Sequence, residues 1–154
     1  MAVRILWIED EAETELSDYA GPVLLAGHQL DIATTATEAV ELLGRREYDV
    51  VIIDLIINAG SGNEWQQLDT TPRSNGPYGY LGLELIRALF LPDEAAIALK
   101  LPKGQLPPEK VAVLTVVANP EVHAEIRSMG ITDIRVKKRS DLTVLKDIVD
   151  SKMG

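Results

Sequence analysis

The sequence predicts an α/β fold, a single doubly wound parallel sheet of five strands carrying two insertions. Three observations predict it. Short apolar, β-branched runs at Val3 to Ile8, Val50 to Ile53 and Val111 to Val117 lack polar alternation, as strands buried on both faces do. Amphipathic helical patterns separate these runs, giving the alternation of strand and helix that builds a parallel sheet. The runs end on acidic, hydroxyl or basic residues, at the strand ends where open sheets place their ligands.

The first run ends in Glu9-Asp10-Glu11. A helix is expected over Ala12 to Ala26, broken or kinked at Gly21-Pro22, because proline removes a backbone hydrogen bond and clashes with the preceding turn. His28 to Ala33 supplies a shorter, more polar strand. Thr37-Glu38 opens the next helix, with Ala39, Val40, Leu42 and Leu43 at three- and four-residue spacing and with Gly44 and Arg45-Arg46 at its end. Val50 to Ile53 ends in Asp54, and Gly82 to Phe90 repeats the helical pattern until Pro92 approaches. The run from Val111 contains Thr115. Asn119 is a favourable N-cap with Pro120 at the first helical position, and that helix is expected to reach Gly130. A weaker strand, Ile131 to Val136, ends in Lys137-Lys138-Arg139. Ser140 is expected to cap the last helix, with Leu142, Leu145, Ile148 and Val149 on its inner face.

Two stretches fall outside this alternation. Asn58 to Tyr80 is rich in glycine, proline and asparagine and too long for an ordinary connection, which makes it an insertion. Pro92 to Lys110 holds four of the eight prolines around Asp93 to Lys100, a segment with the makings of a short helix. Neither is long enough for a second domain, so residues 1–154 are expected to form one domain.

Composition narrows the function classes. Twenty-four acidic against 15 basic residues leave a net charge of −9, which repels phosphate backbones and anionic lipid, so direct nucleic-acid binding is not expected. Cysteine is absent, which excludes disulfides, thiolate metal sites and a cysteine nucleophile. The opening MAVRILWIEDE reaches acids too soon for a signal peptide or membrane span, and the chain is read as cytoplasmic.

The residues ending the strands are Glu9, Asp10, Asp54, Thr115 and Lys137. Three carboxylates gathered at neighbouring strand ends repel one another unless a cation joins them, and hard oxygen ligands suit Mg²⁺ better than zinc. A lysine and a hydroxyl beside them are donors for an anion.

In these features the sequence resembles the receiver domain of two-component response regulators, a flavodoxin-like fold. The resemblance rests on Glu9-Asp10 in ILWIEDE, the aspartate of YDVVIIDL, the threonine of VAVLTV and the first lysine of GITDIRVKK. The spacings, 44 positions from Asp10 to Asp54 and 22 from Thr115 to Lys137, match as well. TEAVELL and GLELIRAL resemble the family's second and third helices, and the match spans nearly the whole chain with both insertions between matched segments.

The resemblance implies that Asp54 is the phosphoacceptor, attacking a phosphorylated histidine on a sensor histidine kinase or phosphotransfer protein. It implies that Glu9, Asp10 and Asp54 hold Mg²⁺, that Lys137 pairs with the incoming phosphoryl group, and that the Thr115 hydroxyl swings to bond it. The face made by the helix from Asn119, the last strand and the last helix would then be read by a downstream protein target. The chain would act as a regulatory phosphoacceptor rather than an enzyme. Since the last helix consumes Ser140 to Met153, output is expected through protein contacts, whether the chain stands alone or belongs to a longer regulator.

Three positions depart from the family pattern. Val116 replaces a small residue and is expected to crowd the entrance to the site, Ile134 stands at the usual aromatic switch position, and Lys138 replaces a proline that favours a cis peptide. They support an alternative, a degenerate receiver that acts as a phosphorylation-independent interaction module. A Mg²⁺-dependent phosphohydrolase or toprim-like enzyme is a further rival, but it needs a second acid beside the nucleophile, which Asp54-Leu55-Ile56 lacks.

Trp7, inside the first strand, is expected in the core. Trp65 lies in the insertion after Asp54, where the segment is read as a lid or partner surface with Trp65 and Tyr78 or Tyr80 against the domain, or else as a loose loop. His28 and His123 lack metal spacing and are expected at the surface.

Overall fold

The computed structural model describes residues 2–14, 16–70, 80–93, 95–99, 106–138 and 140–153. Five parallel strands form one sheet in the order β2-β1-β3-β4-β5: β1 Arg4–Ile8, β2 Gln29–Ala33, β3 Val50–Ile53, β4 Val111–Thr115 and β5 Asp133–Val136. The central strands β3 and β4 are buried throughout, which is why they read as unbroken apolar runs. The edge strands β2 and β5 carry Gln29, Asp31, Asp133 and Arg135, polar residues suited to strands with one unpaired side.

Among the described residues six α-helices accompany the sheet: α1 Ala20–Leu25, α2 Ala36–Arg45, α3 Asn63–Thr70, α4 Leu81–Phe90, α5 Pro120–Ser128 and α6 Val144–Met153. Alternation along β1 shows the two layers. Leu6 and Ile8 join a core with residues of α2, α3, α4 and α5, whereas Ile5 and Trp7 join a second core with α1 and α6. Trp7 is 1% exposed and stacks on Tyr19 with ring centroids 6.3 Å apart, as its place in the first strand predicts.

Caps explain several boundaries. The Thr35 side chain accepts the Glu38 N–H, so α2 begins before Thr37-Glu38, and it runs through Gly44 to Arg45. Asn119 accepts the Glu121 N–H at 2.9 Å with Pro120 in the first turn, as expected.

The first helix differs from expectation. Residues 11–14 form turns and Ser17–Tyr19 a single 3₁₀ turn, and the α-helix begins only at Ala20. Pro22 thus lies in the first turn of α1, where its missing N–H would have had no partner within the helix, so no kink arises. Ala12 and Leu16 are buried without being helical. At the other end of the chain, Ser140 and Leu142 precede α6, and Leu142 is 47% exposed instead of facing inward. The helix starts at Val144, where the Asp147 N–H reaches the Thr143 carbonyl at 2.9 Å.

The first insertion is structured where described. Thr37 Oγ1 donates to the Ala59 carbonyl at 2.6 Å and accepts the Gly62 N–H at 2.9 Å, latching residues 58–62 onto the start of α2. Gly60 turns there at φ +82°, and a Cβ would meet Thr35 Oγ1 at 2.6 Å. The helix α3 follows and places Trp65, 5% exposed, in the core, against which the partly buried Tyr80 also packs. Tyr78 lies outside the described residues. In the second insertion, the described residues 95–99 hold a bend at 96–97 and no helical turn, in place of the short helix expected over Asp93 to Lys100, although Ile97 is buried.

Both histidines differ from the surface placement expected of them. His28 is 8% exposed and its Nδ1 accepts the Val3 N–H at 3.2 Å, while half-buried His123 has Nε2 2.7 Å from the Val117 carbonyl oxygen. Each satisfies a backbone group.

Candidate functional site

The strand order reverses between β1 and β3, and the carboxyl ends beside that reversal carry the polar residues. Glu9 and Asp10 leave β1, Asp54 leaves β3, Thr115 closes β4 and Lys137 follows β5. The Lys137 N–H reaches the Thr115 carbonyl at 2.7 Å, extending the sheet pairing to this rim.

Glu9, Asp10 and Asp54 each offer a carboxylate oxygen within 4.8 Å of the other two. The Lys137 ammonium enters the same space, bonding Glu9 Oε1 and lying 2.9 Å from Asp54 Oδ2. Glu9 Oε2 accepts the Glu11 N–H at 3.3 Å, and Asp54 Oδ1 accepts the Ile56 N–H at 3.3 Å. Glu9 and Asp54 are nearly inaccessible, at 1% and 3%.

Burial dictates the electrostatics. The Glu9 carboxyl is pushed up to about 8, first by desolvation, then by hydrogen bonding to Asp10 and by the charge of Asp54, with Lys137 opposing. Burial also works against a charged Lys137, but Asp54 and Glu9 outweigh it and raise its affinity for its proton. One ammonium does not balance three carboxylates, and burial and repulsion favour a proton on Glu9. The donor set fits a divalent cation: hard oxygens, clustered, with a proton that a cation can displace.

The Thr115 hydroxyl is fully buried and accepts the Val117 N–H at 3.2 Å. Val116 is 57% exposed and Ile134 packs partly buried against the core. Among the described residues no peptide bond is cis.

Three contributors escaped sequence reasoning. Gly82 opens α4 against the backbone after Asp54, where a Cβ would lie 2.1 Å from the Asp54 carbonyl oxygen. The insertion separates the two in sequence and hides the contact. The Ile56 amide is invisible to side-chain pattern reading. Tyr19 donates from its hydroxyl to the Lys138 carbonyl at 2.8 Å across a separation of 119 residues, and no local motif marks it.

No family model and no curated protein matches the chain. Solved structures do. A Francisella response regulator receiver domain is 18% identical with 99% of both chains covered and a TM-score of 0.59. The BeF3-activated N-terminal receiver domain of Klebsiella pneumoniae RstA is 16% identical, covers 98% of this chain and 99% of its own, and scores 0.59. A response regulator from Burkholderia pseudomallei, solved with a phosphorylated aspartic acid and a calcium ion, is 18% identical over 98% of this chain and 72% of its own, at 0.55. The chain therefore has the fold of response-regulator receiver domains. No helix among the described residues is long and apolar enough to cross a membrane.

Proposed function

We propose that the chain is a Mg²⁺-dependent phosphoacceptor of a two-component or phosphorelay system, with Asp54 as the acceptor. The observation that carries this reading is the convergence of Glu9, Asp10, Asp54 and Lys137 from three strand ends onto one small volume. The phosphorylated aspartate and calcium ion in the Burkholderia relative support it by analogy of fold.

An Asp54 carboxylate oxygen attacks the phosphorus of a phosphohistidine on a sensor kinase or phosphotransfer protein, forming a P–O bond as the P–N bond breaks and the imidazole leaves. Glu9, Asp10 and Asp54 would hold the cation, which when bound would supply neutralising charge for the phosphoryl oxygens. Lys137 turns from its carboxylates to an incoming phosphoryl oxygen, a charge-assisted bond that offsets the pairing it gives up. The Thr115 hydroxyl leaves the Val117 N–H for the same group, and that movement shifts the β4–α5 connection read by a downstream protein. The chain regulates by being modified and turns over no substrate of its own. It acts at protein surfaces in the cytoplasm, apart from nucleic acid and membrane.

A second reading, the phosphorylation-independent interaction module, draws on Lys137 already closing on both Glu9 and Asp54. Incubation with acetyl phosphate, with and without Mg²⁺, followed by intact mass measurement separates the two. One added phosphoryl group that needs Mg²⁺ and is absent in Asp54→Asn supports the phosphoacceptor; an unchanged mass supports the module.

A further inference from the structure

We propose that Tyr19 is a positioning residue for Lys137, acting through the backbone of Lys138; this rests on the phosphoacceptor reading above. Tyr19 is 1% exposed, and its ring stacks on Trp7, two residues before Glu9. Its hydroxyl donates to the Lys138 carbonyl at 2.8 Å, and that carbonyl also accepts the Asp141 N–H at 3.0 Å. On the other side, the Lys137 N–H is held by the Thr115 carbonyl at 2.7 Å. The two peptide groups flanking the Lys137–Lys138 link are thus tied to β4 and, through a rigid aromatic pair, to the strand that ends in the acids.

Lys137 has two kinds of restraint, and they differ in permanence. Its ammonium is held by Glu9 and Asp54, and both partners change role once they engage a cation or a phosphoryl group. The backbone ties involve neither the carboxylates nor the incoming groups. They set where the lysine stem begins when its head must find a new anion, and small displacements at such a point lower rates steeply. Lys138 is itself exposed, so its side chain does not fix the turn.

The test compares wild type with Tyr19→Phe, which keeps the ring and its stacking, in saturating Mg²⁺. Loss of one hydrogen bond predicts roughly three- to tenfold faster amide exchange at Lys137 and Asp141, with β1 and β3 amides unaltered. It also predicts phosphoryl uptake from acetyl phosphate slowed by roughly the same factor, with the Mg²⁺ dissociation constant unchanged. Unchanged exchange at Lys137 and Asp141, or equal acceleration across the whole sheet, overturns the proposal. So does a Tyr19→Phe chain that takes up phosphoryl at the wild-type rate. If wild type takes up none, the phosphoacceptor reading falls, and the exchange measurement by itself still decides whether Tyr19 holds the turn.

Discussion

Lys137 places its ammonium 2.9 Å from Asp54 Oδ2 although the two residues lie 83 positions apart, and the same ammonium bonds Glu9. The cationic side chain occupies the space where three carboxylates would otherwise face one another.

Removing that cation is expected to destabilise the metal-free protein. A broken buried pair typically costs about 3–5 kcal/mol, but a proton on the raised Glu9 softens the effect, so Lys137→Ala is expected to lose about 2–4 kcal/mol. Urea unfolding in EDTA measures it, and adding Mg²⁺ is expected to recover part of the loss. A variant as stable as wild type in EDTA contradicts this.

The proton on Glu9 sets a pH dependence. Its carboxyl stands at about 8 in the folded chain against 4.5 as a free side chain, so the folded state binds more protons between those values. Metal-free stability is therefore full below about pH 4.5 with respect to this group and falls as pH rises towards about 8. A cation displaces the proton, so Mg²⁺ affinity rises over the same window and binding releases protons. Calorimetry in two buffers of different ionisation enthalpy reads the release; no buffer dependence at pH 7 would refute it.

Arg87 joins α4 to α5. It pairs with Glu84 at 2.6 Å and, through two nitrogens, with Glu125 at 2.5 and 2.7 Å. Glu84 is 8% exposed, so Arg87→Ala strands a buried carboxylate and is expected to cost about 1–3 kcal/mol, while Glu125→Gln costs less. Thermal unfolding of the two variants tests the order.

Trp65 gives the first insertion a structural part. With the side chain 5% exposed in the core, Trp65→Ala is expected to destabilise the fold by about 3–5 kcal/mol. A loss below 1 kcal/mol, on the order of a surface substitution, would mean that the segment merely covers the domain.

The strands were legible because burial on both faces leaves an uninterrupted apolar run, α2 because one stripe of it is buried, α4 because it is apolar almost all round, and α5 because Asn119 and Pro120 mark its start. Other elements were not, each for a physical reason. Ala12 and Leu16 mimic helix periodicity while being buried from turns, which displaced the start of α1. Leu142 extends the apolar spacing of α6 but faces solvent, since the chain is still turning through the Lys138 carbonyl to Asp141 N–H bond. The α3 helix is polar apart from Trp65 and Leu68 and stands among glycines and asparagines, so its pattern is faint. At the site, residue types and order were legible, whereas the closure of Lys137 on Glu9 and Asp54 is a matter of distance that sequence does not carry.

Reductive trapping locates the modified atom. Borohydride converts an aspartyl phosphate to homoserine, and peptide fragmentation after acetyl phosphate and Mg²⁺ treatment then reads the position. Homoserine at residue 54 and nowhere else is the expected result. Homoserine at Glu9-adjacent Asp10 or at a surface aspartate, or an unmodified chain, would contradict the assignment of Asp54 as acceptor.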